Sequence, residues 1–235
     1  MAEIVYAITD THGCLDPLER AYDLILAHAA GRPARVVFLG DAIDRGPDSA
    51  GCVERLIEGA WADNFAPQVN LMGNHEEFMI EALKGDRRMA GRWLDNGGDE
   101  TLRSYGARPS IDAAVELDIP PAHAAWLASL AYAYETETHF FVHAGIPPRS
   151  TLAEALATPE GRRQLIWIRH AFLGADHDFG KHVVHGHSPT GWVDFQRDPP
   201  FRTNLDSGAV YGGWLSIGVC LPGVAGRPGV LRVGR

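Results

Sequence analysis

Five times along this chain a short apolar run breaks off into a polar cluster that carries a glycine, and this recurrence constrains the fold more than any other feature. Residues 3–9 are rich in β-branched and aromatic side chains and read as a buried strand that stops at Asp10-Thr11-His12-Gly13. Residues 35–39 run into Gly40-Asp41, residues 69–72 into Gly73-Asn74-His75, residues 139–142 into His143-Ala144-Gly145, and Val183-Val184 into His185-Gly186-His187. Helices fit between the early strands. Leu15, Leu18, Tyr22, Ile25 and Ala29 share one helical face that runs out at Gly31, with Asp16 expected as the cap, Pro17 at the first position and Glu19 in capping-box spacing. Residues 50–60 read as a second helix. When strands alternate with helices, the loops at the strand ends gather along one sheet edge, so residues distant in sequence can converge there.

The remainder is less regular. Residues 84–135 carry Trp93, Asn96-Gly97-Gly98 and Tyr105-Gly106 and lead into a helix-like stretch over 113–130; we read them as an insertion or cap beside the site. Residues 202–206, 214–221 and 230–233 read as strands between glycine-rich turns. With 235 residues, 46% of them hydrophobic, one domain spanning 1–235 with one substantial core is expected. A formal charge of −9 argues against a protein that grips nucleic acid through a basic face. Cys14, Cys52 and Cys220 are far apart and lack C-x-x-C spacing, so neither a disulfide framework nor a thiolate metal site is expected, and a reducing cytoplasm is the natural setting. No apolar run has membrane-spanning length and the first residues do not read as a leader, so a soluble, unprocessed protein is expected.

The clusters themselves carry the chemistry. Asp10, His12, Asp41, Asn74, His143 and His187 supply the carboxylate, imidazole and amide groups that bind Mn, Fe or Zn, and six such groups suit two ions. Two ions sharing a carboxylate form an arrangement used for in-line displacement at phosphorus, with Asp41, central in chain order, as the natural bridge. A lone Asp-x-His is usually a turn. Five ligand-type clusters, each at a strand end and each beside a glycine that permits close backbone approach, are hard to explain as packing.

Asp10-Thr11-His12-Gly13, Gly40-Asp41-Ala42-Ile43-Asp44-Arg45-Gly46, Gly73-Asn74-His75-Glu76, His143-Ala144-Gly145 and Gly186-His187, in that order, resemble the motifs of the calcineurin-like phosphoesterases, and the bacterial and phage serine/threonine protein phosphatases look nearest. The resemblance implies an α/β fold in which a central two-sheet β-sandwich is flanked by helices. It implies Asp10, His12 and Asp41 on a first metal and Asp41, Asn74, His143 and His187 on a second; the ligand chemistry permits Mn, Fe or Zn, with Mn favoured for assay. His75 would be the general acid, Asp44 its orienting carboxylate, and Arg45 a clamp on phosphate oxygens beside Asn74. Leu165 to Arg169 resembles a phage-type segment, which makes Arg169 a second clamp. Two departures stand out: Thr9 occupies a position where the family has glycine, and Pro189 one where related phosphodiesterases often carry a histidine.

The function implied is hydrolysis of phosphomonoesters, on phosphoserine and phosphothreonine proteins or small phosphoesters, by direct attack of a metal-bridging hydroxide. A symmetrical dinucleoside tetraphosphatase is the enzymatic alternative, against which Asp44 and Glu76 weigh; a non-catalytic binding module on the same fold is the third reading. His185 reads as packed or as lying behind the ligands, Asp206-Ser207-Gly208 as a turn or a part of the site floor, and the tryptophans and tyrosines as packing. Neither the oligomeric state nor the native metal is legible.

Overall fold

In the computed structural model, residues 3–60, 62–191, 194–195 and 201–234 are described. The first strands are β1 (Ile4–Ile8), β2 (Ala34–Phe38) and β3 (Val69–Asn70), followed along the chain by β4 (Ala133–Glu135), β5 (His139–Val142), β6 (His182–His185), β7 (Asp194–Phe195), β8 (Arg202–Asn204), β9 (Leu215–Cys220) and β10 (Gly229–Val233). They form two five-stranded sheets, ordered β10-β9-β1-β2-β3 and β4-β5-β6-β8-β7. β1, β2 and β3 run parallel, as do β5, β6 and β8, while the outer strands pair antiparallel.

Period-two alternation sorts each strand between two layers. Val5 and Ala7 of β1, Val37 of β2, Phe141 of β5 and Val184 of β6 meet between the sheets with Leu39, Leu71 and Leu205. Ile4, Tyr6, Ile8, Val36 and Phe38 face the other way into a core shared with the early helices, and Phe140, Val142 and Val183 do the same on the second sheet. The expected two-sheet sandwich flanked by helices is therefore the fold.

α1 (Leu15–Ala29) buries Leu18, Tyr22, Ile25 and Ala29 on its sheet-facing side, and α2 (Ser49–Glu58) is capped by Asp48, whose carboxylate accepts from the Gly51 N–H. Asp16 does not cap α1. The loop before it closes on itself through Cys14 N–H to Thr11 O at 2.9 Å, so the helix starts at Leu15 and Asp16, already inside its first turn, pairs with Arg20 at 3.0 Å. The third strand is shorter than expected, because beyond Asn70 the backbone is held by Ala131, whose carbonyl accepts from Met72 N–H at 2.7 Å. α3 (Asn74–Leu83), α4 (Arg87–Trp93) and α5 (Asp99–Ser104) follow, the last two joined by a kinked turn over Leu94–Gly98, where Gly97 leaves the helical region at a φ of 99°. The helix expected over 113–130 is two helices, α6 (Ile111–Val115) and α7 (Pro121–Ser129), since Pro120 and Pro121 cannot continue a helix from the preceding turn but suit the start of a new one. α8 (Leu152–Ala157), α9 (Pro159–Trp167) and α10 (His170–Leu173) cover the second sheet. Among the described residues all three cysteines are free, and no helix is long and apolar enough to cross a membrane.

Candidate metal centre and catalytic site

β1, β2 and β3 are parallel, so the loops bearing Asp10 and His12, Asp41, and Asn74 and His75 leave the first sheet at one edge; the β5 and β6 loops deliver His143 and His187 from the second. Asp41 lies at the centre. Its Oδ2 is 3.6 Å from His12 Nε2, 3.4 Å from His143 Nε2 and 3.9 Å from His75 Nε2, and all four residues are buried. Among the described residues two clusters of metal-ligating groups emerge, His12-Asp41-His75 and Asp41-His143-His187, and they share Asp41. Asn74 joins the second through Oδ1, 3.1 Å from His143 Nε2. Asp10 stands in neither cluster; its carboxylate accepts from the Thr9 hydroxyl and, at 3.1 Å on both oxygens, from the backbone N–H of His187.

The backbone is bent to make this possible. Eight described non-glycine residues have positive φ, and six of them are Asp10, His12, Asp41, Asp44, Arg45 and His187. Such conformations cost of order 1–3 kcal/mol each and persist only where the surroundings impose them. Thr9 is not among them, so the β-branched residue in place of the family's glycine sits without strain and serves as a donor to Asp10. Glu76 ties two of the loops together: Oε2 accepts from the N–H groups of Asp41 and Gly73 at 2.9 Å, and Oε1 from Ala42 at 2.7 Å.

His75 Nδ1 donates to Asp44 Oδ2 at 2.5 Å, and its Nε2 faces the cleft, where Arg45 Nη2 reaches it at 2.9 Å while Nη1 reaches His12 Nε2 at 2.6 Å. Burial lowers the affinity of His75 for a proton, but Asp41 and Asp44 outweigh it and leave its pKa raised. Arg169 donates to the carbonyl of His187 at 2.7 Å and lines the same cleft, of about 330 Å³, with Trp167 and Tyr211. Expectation and structure differ here: Trp93 and Trp126 are buried, but Trp167 and Tyr211 wall the cleft, with the Arg45 guanidinium 5.8 Å from the Tyr211 ring centre.

The profile of the calcineurin-like phosphoesterases matches residues 4–212. The chain belongs to that family. It is 30% identical over 224 residues to serine/threonine-protein phosphatase 1 of Salmonella typhimurium, covering 91% of this chain and 90% of the relative. It is also 30% identical over 154 residues to the symmetrical bis(5'-nucleosyl)-tetraphosphatase of Ralstonia nicotianae, covering 64% of this chain and 45% of that one; this chain spans about half the length of such tetraphosphatases. A crystal structure of a putative diadenosine tetraphosphatase superposes with a TM-score of 0.66 at 21% identity, over 100% of this chain and 95% of that one, a likeness of fold.

Phosphoesterases of this family depend on two metal ions, and the donors here fit them. His12 Nδ1 donates to the Ile43 carbonyl at 2.8 Å, which leaves Nε2 as the lone pair toward Asp41; burial pushes this imidazole down to about 3, so it is neutral. Burial likewise pushes His187 down to about 2. Burial, together with the charges of its acidic neighbours, holds Asp10 well above the usual carboxylate range, takes Asp206 to about 6 and Glu76 to about 7; Asp41, despite its burial, is held well below that range by His143 and His75. The phosphoesterase thus encloses several carboxylates and neutral imidazoles in a small, dry volume, a donor set suited to divalent cations. His143 is the exception: Asp41 overcomes its burial and raises it to about 9, while Nδ1 donates to the Leu39 carbonyl at 2.9 Å.

Three residues beside the site have roles that sequence reasoning misses. Thr9 reads in the sequence only as a departure from the family pattern, and nothing there signals that Trp93 and Thr101 touch Asp44, which they do at 2.8 and 2.6 Å. Asp206, expected as a turn or a floor, is buried close enough to Asp10 and Asp41 for their charges to couple. His185 lies outside both clusters, its Nδ1 against the Gly186 carbonyl at 3.0 Å and its ring edge-on to Phe172.

Proposed function

We propose that this phosphoesterase hydrolyses phosphomonoesters of seryl and threonyl side chains, within one domain, using Asp10, His12, Asp41, Asn74, His143 and His187 to hold two divalent metals, of which Mn suits assay. One observation carries the reading, the buried Asp44–His75 pair with Nε2 presented to the cleft. A seryl or threonyl alkoxide is a strong base and leaves badly without a proton, whereas a nucleotide phosphate, with a pKa near 6, leaves unaided at neutral pH. An imidazole whose affinity for a proton is raised by two carboxylates is therefore most useful against an alkoxide. The 30% identity over 90% of a serine/threonine-protein phosphatase is in keeping with this reading.

Bound metals supply Lewis acidity and an activated water. The chain's own residues do the rest. Arg45 and Arg169 both line the cleft and offer forked donors to phosphoryl oxygens, with Asn74 among the lining residues. His75 Nε2 gives its proton to the departing oxygen, and Asp44 fixes the ring and stabilises its charge. Trp167 and Tyr211 wall the cleft around the leaving group.

In favour of the tetraphosphatase reading stand the 30% identity to the Ralstonia nicotianae enzyme and the exposed Tyr211 ring beside Arg45, which could stack on a base. Comparing kcat/KM of Mn-reconstituted protein on a phosphoserine peptide and on diadenosine tetraphosphate decides between them. A preference for the peptide is expected; a preference for the dinucleotide overturns the proposal.

A further inference from the structure

The segment Trp93-Leu94-Asp95-Asn96-Gly97-Gly98 has no part in metal or phosphate binding as described above, yet it touches Asp44 through Trp93 and Arg45 through Gly97, and Thr101 just beyond it touches Asp44 again. Trp93 is fully buried, and its indole N–H, which needs a partner at that depth, donates to Asp44 at 2.8 Å on Oδ1 and 3.0 Å on Oδ2. Across the kinked turn, the Thr101 hydroxyl donates to Asp44 Oδ1 at 2.6 Å and lies 2.9 Å from the Asp44 N–H, with Ser49 as a second partner at 3.0 Å. The Gly97 carbonyl accepts from the Arg45 N–H at 3.0 Å. Asp44 and Arg45 are consecutive left-handed residues, at φ of 76° and 69°, and these contacts are what hold them there.

The two glycines follow from the same geometry. A Cβ on Gly97, whose φ is 99°, would lie 2.7 Å from Arg45 Cγ, and one on Gly98 would lie 2.6 Å from the indole of Trp93. The turn is thus shaped to let Arg45 and Trp93 pass. With its Oδ1 taken by Trp93 and Thr101, Asp44 can present Oδ2 to His75 in one orientation.

We propose that Trp93 and Thr101 are positioning residues for proton donation: the α4–α5 turn aims Asp44, and through it the His75 imidazole, at the leaving-group oxygen. The inference rests on the reading of His75 as the acid. Neither side chain lines the cleft, so they act only through Asp44.

The test compares wild type, Trp93→Phe, Thr101→Val and His75→Asn on two substrates, a phosphoserine peptide with a poor leaving group and 4-nitrophenyl phosphate with a good one. Metal content and thermal midpoint are recorded for each. Trp93→Phe keeps an aromatic ring in place while removing the N–H, and Thr101→Val is nearly isosteric, so a folded second variant covers the failure of the first. We expect each to lower kcat on the peptide by about 10–100-fold, as removal of an orienting partner does, with 4-nitrophenyl phosphate turnover changed far less and two metals retained. If His75→Asn loses leaving-group selectivity as an acid should while both support variants slow the two substrates equally, or neither, the proposal falls and the acid reading stands. If His75→Asn itself slows both substrates equally, the acid reading falls and takes the proposal with it.

Discussion

Gly40 is the point where three ligand-bearing loops touch, and replacing it with alanine should cost the protein both stability and metal. Its φ is 103°, and a Cβ there would lie 2.6 Å from Gly73 N, 2.7 Å from Gly73 Cα and 3.0 Å from His143 Nδ1. Carbon contacts prefer about 3.5–4.0 Å, so the β2 and β3 loops would have to part by about 1 Å. The two nearest obstructing atoms are backbone, which cannot swing aside. Positive φ on a residue with a Cβ costs about 1–2 kcal/mol, and overpacking of this kind adds about 1–3 kcal/mol, so Gly40→Ala should destabilise by about 2–5 kcal/mol. Gly85→Ala isolates the first contribution, because Gly85 has a φ of 93° and a methyl group there would meet nothing within 4 Å. Urea unfolding of the two metal-free variants at one pH, followed by Mn titration calorimetry, gives both quantities. Gly40→Ala should be the less stable of the two by at least about 1 kcal/mol and should bind Mn more weakly, since the collision displaces Asp41, Asn74 and His143 together. Equal unfolding energies for the two variants, with Mn affinity unchanged in Gly40→Ala, would refute the idea that these loops are held at contact distance.

Two further outcomes concern the metals. His143 is raised to about 9 by Asp41, so at neutral pH it is protonated and must lose that proton to bind a cation; metal affinity should therefore rise with pH, up to about tenfold per unit below 9. Calorimetry in buffers of different ionisation enthalpy should detect the released proton, and an affinity flat between about pH 6 and 8 would contradict the assignment. Because His12 and Asp41 come from one sheet and His143 and His187 from the other, bound metal rivets the sandwich together: at about one hundred times the dissociation constant it should add about 2.7 kcal/mol, and chelation should lower the thermal midpoint by about 5–10 °C. An unchanged midpoint after verified metal removal would place the ligands elsewhere.

The sheet edge and the candidate ligands that cluster on it, His12, Asp41, His143 and His187, are legible because uncommon residues stand beside glycine at strand ends, and hydrophobic runs mark the strands. What is not legible has physical reasons. Pro120-Pro121 splits the helix expected over 113–130, a signal present in the sequence but outweighed by the apolar run around it. Asp16 loses the cap of α1 to a backbone turn that no side-chain pattern records. α8, by contrast, opens on Thr151 and Glu154 in full capping-box geometry, a readable start. The contact of Trp93 with Asp44 joins residues 49 apart in the chain, and a tryptophan's hydrogen-bond partner leaves no trace in periodicity.

The left-handed residues of the site also bear on how far such an enzyme can be improved. Arg45, at φ of 69°, would be replaced by glycine without steric penalty, and the same substitution removes the proposed phosphate clamp. Consensus or stability-guided redesign blind to catalysis would be drawn to these positions first, since relieving them raises the melting point. A library selected for thermal tolerance alone should therefore drift toward a sturdier, inert sandwich, and selection for turnover should restore the strained residues.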